Sequence, residues 1–220
     1  MPSVARFIRL DLRSLRPYAR NLIIPVVIIL VAAVLPTRSP YAMIPAPAVF
    51  AVIIAPQYLF GNDERGRLDT LYTALGIARR QVVTGRYATS LLLLIGLTAA
   101  GLILAPVTAL LLRVELDWAI AAALAAGSVG IVGALLAVEL PVYFALGATR
   151  ARTVGFAVPA AIILAVVFAG WAFPDAGTTV LGWLEGTSPG WLALAALAIL
   201  AVLGTASSLL AARLYARRDL

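Results

Sequence analysis

Cysteine, histidine and lysine are all absent from this 220-residue chain, and charge of either sign is scarce. Without cysteine there are no disulfides, so the sequence carries no mark of its redox compartment. Without histidine and lysine there is no Ser–His nucleophile pair, no His/Cys metal cluster and no phosphate-binding loop lysine. Chemistry at a catalytic centre would have to rest on Asp, Glu, Ser or Arg alone.

What is present is mostly oil. Hydrophobic residues make up 63% and charged residues 12%, with a mean hydropathy of +1.02. An average soluble domain has about 25% charged and 45–50% apolar residues, so the composition reads as an all-α membrane protein with several spans. No polar stretch is long enough to build a second core, and residues 1–220 form one transmembrane domain. The net charge of +7 comes entirely from arginine. In a soluble chain that would suggest nucleic acid; here membrane topology accounts for it and no nucleic-acid partner is expected.

In chain order, residues 1–20 carry Arg6, Arg9, Arg13, Arg16 and Arg20 at steps of three and four. Val4, Phe7, Ile8, Leu12 and Leu15 lie on much of the opposite side. That is a basic amphipathic helix suited to the headgroup region; a signal-peptide n-region is disfavoured by the length and by the five apolar spans after the first. Spans are expected at about 21–35, 43–61, 88–112, 118–138, 154–173 and 191–210. Pro45, Pro47 and Pro56 should bend the second. In the fourth, Ala126, Gly130 and Ala134 have the spacing that lets helix backbones approach closely. Between spans five and six, residues 174–190 mix Gly and Pro with Val180, Leu181, Trp183 and Leu184, which suits a segment dipping into the interface.

Arginine sets the orientation. Fifteen arginines fall in the N-terminal segment, the second-to-third and fourth-to-fifth connections and the C-terminus, while the other side keeps Arg38 and Arg113. Both termini are therefore expected on the cytoplasmic side of the cell membrane. Trp118, Trp171, Trp183 and Trp191 all fall at expected outer ends, where amphipathic rings collect.

The longest charged interval, residues 62–87, lies in the second-to-third connection. On a helix its Leu68, Leu71, Tyr72, Leu75 and Ala78 form one apolar stripe, broken off at Gly76 before a restart that leads into the third span. From the residues alone two readings stay open. The helix lies in the interface with its arginines reaching lipid phosphates, or its stripe docks on a cytoplasmic partner. The acidic pair Asp63 and Glu64 caps a helix start well and suits anionic lipid poorly. Glu139 is the acidic residue nearest the inner part of a span. A carboxylate in a span is a functional candidate, but 21 residues from Trp118 to Val138 rise about 31 Å, so Glu139 is expected at the inner interface, paired with arginine in water.

The run F-x-x-D-E-R-x-x-L-x-x-L-Y-x-x-L-x-x-x-R-R-x-V-V-x-G-R-Y, from Phe60 to Tyr87, resembles the cytoplasmic loop of ABC type-2 transporter permeases. LPVYFALGATRAR before the fifth span and SSLLAARLYARRDL at the C-terminus fit the same family, as do the N-terminal amphipathic helix and the dipping segment. The resemblance covers essentially the whole chain. It departs from the family at Gly76-Ile77, where a proline ahead of the arginine is expected; glycine still breaks the helix.

The resemblance implies a non-catalytic permease subunit of an exporter for hydrophobic or amphipathic compounds such as peptides, drugs or lipids. It implies a second permease copy and a separate ATP-binding-cassette ATPase that carries the ATP and Mg, with no cofactor on this chain. Residues 62–87 then contain a coupling helix, whose ATPase contacts are Asp63, Glu64, Arg67, Leu68, Leu71, Tyr72, Leu75 and Arg79, with Arg150 and Arg152 as a second cytoplasmic contact. The substrate is unreadable. A haem-exporter-like permease is the rival transport reading. A membrane scaffold is another, as is a lipid-modifying enzyme, which would need clustered carboxylates.

Overall fold

The computed structural model describes residues 4–66, 68, 71–72, 76–172 and 189–217. Among these the regular structure is all helical, with no strand. Helix α1 (Val4–Thr37) is bent by 82° between Phe7–Tyr18 and Ile23–Thr37. Pro25 supplies the physical cause, since it cannot donate to the carbonyl four residues back and its ring crowds that turn. The result is an N-terminal arm, Phe7–Tyr18, set nearly at right angles to the apolar arm Ile23–Thr37. Phe7, Asp11 and Leu15, four residues apart, are buried, while Arg9, Arg13 and Arg16 are exposed.

The second span is built in pieces: a 3-10 turn at Pro40–Met43, α2 (Pro45–Ile54), a π-helical segment at Ala55–Phe60 and α3 (Gly61–Gly66). Pro45 and Pro47 lie in the first turn of α2, where missing donors cost nothing. Pro56 lies inside the π segment, where its missing N–H is absorbed by a local change of register rather than a sharp kink. This corrects the expected end of the span near Gly61. The helix continues through Gly66 and carries Asp63 back against the protein interior.

Helix α4 (Arg79–Leu112) starts well before the third span and runs through it, ending at Arg113 in the left-handed conformation. Helix α5 (Trp118–Ala172) contains one break, at Gly147 (φ 76°, ψ 172°), a backbone state that in practice only glycine adopts. The fourth-to-fifth connection is therefore a single-residue break, with Arg150 and Arg152 already in the next helix. Residues 154–172 are helical, as expected of the fifth span. Helix α6 (Pro189–Ala216) follows. The expected dipping segment 174–190 falls outside the described residues except for its last two positions, which open α6.

Four of the described helices are long and apolar enough to cross a membrane, and five if the bent α1 counts as one span. Large apolar side chains on their outer faces, such as Leu110, Leu111, Ile131 and Val202, are exposed, as surfaces facing hydrocarbon are. The core gathers Phe50, Leu59, Phe60, Val82, Leu94, Leu136, Leu140, Tyr143 and Phe144 from α2 to α5, closed by Ala211 and Tyr215 of α6. Phe60 stands edge-on to Phe144 with centroids 4.7 Å apart.

Close helix approach occurs elsewhere than at the small-residue stripe of the fourth span. Gly127 and Gly130 face open space. The tight contact is at Gly101, where a Cβ would come within 2.5 Å of the Met43 carbonyl oxygen, and at Gly85, where it would meet the Phe7 ring. Helix α4 is thus the element on which the second span and the N-terminal arm are laid.

Candidate functional site

Arg86, about two turns into α4, is fully buried. A guanidinium taken out of water needs paired charge and hydrogen bonds around it, and three segments supply them. From the N-terminal arm, Asp11 Oδ1 lies 3.0 Å from Nη1. From α3, Asp63 accepts hydrogen bonds from Nη2 at 2.5 Å through both carboxylate oxygens. The Tyr72 hydroxyl donates to Asp63 Oδ1 at 3.1 Å. Phe7 and Phe60 place their rings 5.5 Å from the guanidinium carbon on either account, close enough for cation–π attraction.

The cluster is satisfied unevenly. The Asp11 contact lies off the hydrogen-bonding direction, and Nε has no hydrogen-bond partner among the described residues. Thr89 donates to Asp11 Oδ2 at 3.2 Å. Two carboxylates share one cation. Burial pushes the Asp11 carboxyl up to about 6, outweighing the pull of Arg86, with the Asp63 charge adding to the rise. Burial, and then the neighbouring Asp63 charge, likewise raise the Tyr72 phenol well above its ordinary range, so it remains a donor.

Around this cluster the remaining residues of the 62–87 interval find their places. Gly76 has φ 66°, and the Ile77 N–H donates to the Tyr72 carbonyl at 2.9 Å, the six-to-one bond of a glycine helix stop. The break expected at Gly76 is therefore present, and the helix expected to restart over residues 77–81 begins at Arg79. Glu64 Oε2 accepts from the Thr149 N–H at 2.9 Å and from Thr149 Oγ1 at 3.0 Å, capping the helix that restarts after Gly147. Arg79 Nη1 donates to the carbonyls of Tyr215 and Ala216 at 3.0 and 2.8 Å and so caps the end of α6.

Several expectations change here. The apolar stripe is expected to face either the membrane interface or a cytoplasmic partner. Tyr72 in fact is buried, its ring 5.5 Å from Phe7, and Leu68 is partly buried against the same core. Leu71 is 48% exposed. Asp63 faces inward because α3 prolongs the second span, and Arg79 faces α6. Arg67 and Leu75 lie outside the described residues. Arg150 is exposed and Arg152 lies beside Tyr143. Glu139 is expected in water with an arginine; it is 4% exposed, and its Oε2 has no hydrogen-bond partner among the described residues. The helix around it is covered by its neighbours further along than composition suggests.

Sequence reasoning missed Asp11 and the centrality of Arg86. The signal existed: Asp11 is the one acid in an arginine-rich arm, and it falls on the Phe7/Leu15 face rather than among the arginines. An acid on the apolar face of a basic helix asks for a buried cation.

The chain matches the family model described as ABC-2 family transporter protein over residues 6–216. No curated protein and no solved structure matches it. Members of this family are membrane-spanning, generally non-catalytic subunits that normally work with an ATP-binding partner. A match over nearly the whole length, on a bundle of apolar helices, makes this chain a multi-pass permease subunit of an ABC transporter, a member of the ABC-2 transporter family.

Proposed function

We propose that this permease works in an exporter that moves a hydrophobic or amphipathic substrate outward by alternating access. In this reading the chain has six spans with both termini in the cytoplasm. It pairs with a second permease copy, and a separate ATPase that binds ATP and Mg docks on the 62–87 segment. The observation that carries the reading is the Arg86 cluster. A push on the segment holding Asp63 and Tyr72 reaches the start of α4 through a buried, charge-assisted junction made by the Arg86 guanidinium. Because α4 continues unbroken through the third span, displacement at its cytoplasmic end tilts that span as a rigid rod. Glu64 and Arg79 carry the same displacement to the helix after Gly147 and to the end of α6.

The docking contact in this proposal is Leu71, exposed among the described residues of the stripe, on the same segment as the exposed Glu64 and Arg65 of α3. Leu71→Asp places a charge in a contact that excludes water, and should abolish co-purification with the ATPase subunit while the permease remains in the membrane. Undiminished co-purification would remove the docking assignment.

A further inference from the structure

At the junction of the second span with the break in α5 lies an open cavity of about 410 Å³, lined by Gln57, Tyr58, Asn62, Arg65, Tyr143 and Arg152 among others. Its volume is within the range of small-ligand sites, about 300–1,000 Å³. Arg65 enters from α3 and Arg152 from the helix after Gly147. Neither guanidinium forms an ion pair or hydrogen bond with a described residue. The acids nearby are already committed. Asp63 is held by Arg86, and Glu64, which also lines the cavity, has Oε2 engaged by Thr149. Gln57 and Asn62 bring amide donors and Tyr58 and Tyr143 bring hydroxyls to the same space. The balance of the lining is cationic and donor-rich.

Position adds to chemistry. The cavity opens where two membrane-crossing helices end, Pro40–Gly66 and Trp118–Thr153. Aromatic and arginine side chains at such ends sit at headgroup depth, and basic pockets between spans select anionic headgroups. Two guanidiniums from different elements match the oxygens of one phosphate better than a single cation does.

We propose that this cavity is a binding site for a phosphate-bearing anion, supplied by a phospholipid headgroup or by free phosphate. Occupancy bridges α3 to the helix after Gly147, reinforcing the Glu64–Thr149 link between the same two elements. The site does not depend on transport direction or on the docking of an ATPase, and its test needs neither.

The full chain, purified in a neutral detergent, is treated with an arginine-directed dicarbonyl reagent, and modification of each arginine is read by mass spectrometry. Additions are phosphatidylglycerol, phosphatidylcholine, inorganic phosphate or none. Protection of Arg65 and Arg152 at least fivefold beyond that of Arg9, Arg13 and Arg213 is expected. Protection by phosphatidylglycerol alone assigns a lipid headgroup; protection by inorganic phosphate as well assigns a soluble source. Equal modification in all arms overturns the proposal, as does protection spread evenly over the exposed arginines. Protection that appears only with an added ATPase subunit makes the occupant a protein and also overturns it. In parallel, Arg65→Gln/Arg152→Gln should lose the melting-temperature rise that the protecting ligand produces in the parent, and Arg152→Lys should keep part of it.

Discussion

Arg86 Nη2 lies 2.5 Å from both carboxylate oxygens of Asp63, joining the start of the third-span helix to the end of the second-span helix across 23 positions of chain. With Asp11 on the other side of the guanidinium, this one residue holds three segments that no turn or helix would bring together. Removing it leaves two carboxylates buried without their cation. Arg86→Met should destabilise the fold by about 3–5 kcal/mol, the usual cost of breaking a buried ion pair from one side. Unfolding of the detergent-solubilised protein measures it, and a loss under about 1 kcal/mol would show that water reaches the cluster.

The charge imbalance in that cluster has a pH signature. The Asp11 carboxyl is raised from 3.8 to about 6 by burial, so the folded state holds the proton more tightly than the unfolded chain. Its contribution to stability is full below about 3.8 and is lost as pH rises through about 6. Asp11→Asn should therefore flatten the fall in melting temperature between those values while leaving the rest of the pH profile unchanged. Parallel profiles for parent and variant would contradict the assignment.

Glycine positions give a paired comparison. Gly101→Ala drives a methyl against the backbone of Met43 and should cost about 1–3 kcal/mol, as overpacking does. Gly130→Ala meets open space and should be neutral or stabilising by up to about 1 kcal/mol, because alanine suits a helix better. Melting temperatures of the two variants decide it. Equal effects would mean that α4 and the 3-10 turn are not in contact.

Glu64 links α3 to the helix that restarts after Gly147. Glu64→Ala removes both bonds from Thr149 and should cost about 0.5–2 kcal/mol, as losing a helix cap does. Hydrogen exchange should accelerate at the amides from Thr149 to Thr153 and stay unchanged at Leu94, in the middle of α4. Unchanged exchange at the cap would make the contact incidental.

Four of the expected spans, and a fifth if the bent α1 counts as one, were legible because burial in hydrocarbon imposes long apolar runs. The break at Gly76 and a helix restart just after it were legible because glycine and helix periodicity are local signals. Asp63 was misread for the opposite reason. Charge on a polar stretch looks solvated until the partner that buries it is known, and that partner, Arg86, sits a full loop away. Gly147 was invisible as a break because helical periodicity continues on either side of it. Glu139 showed the limit of counting residues across a bilayer: length places a side chain at a depth but does not say which neighbours cover it.

The central claim is that the exposed part of the 62–87 segment receives the ATPase subunit. The chain has no cysteine, so Leu71→Cys is a unique thiol, and its reaction with a membrane-impermeant maleimide can be followed with and without the ATPase. Labelling of Leu71→Cys in inside-out vesicles should fall at least tenfold when the ATPase is bound, while Arg13→Cys, on the exposed face of the N-terminal arm, should be indifferent to it. Labelling of Leu71→Cys at the same rate with and without the ATPase would contradict the account.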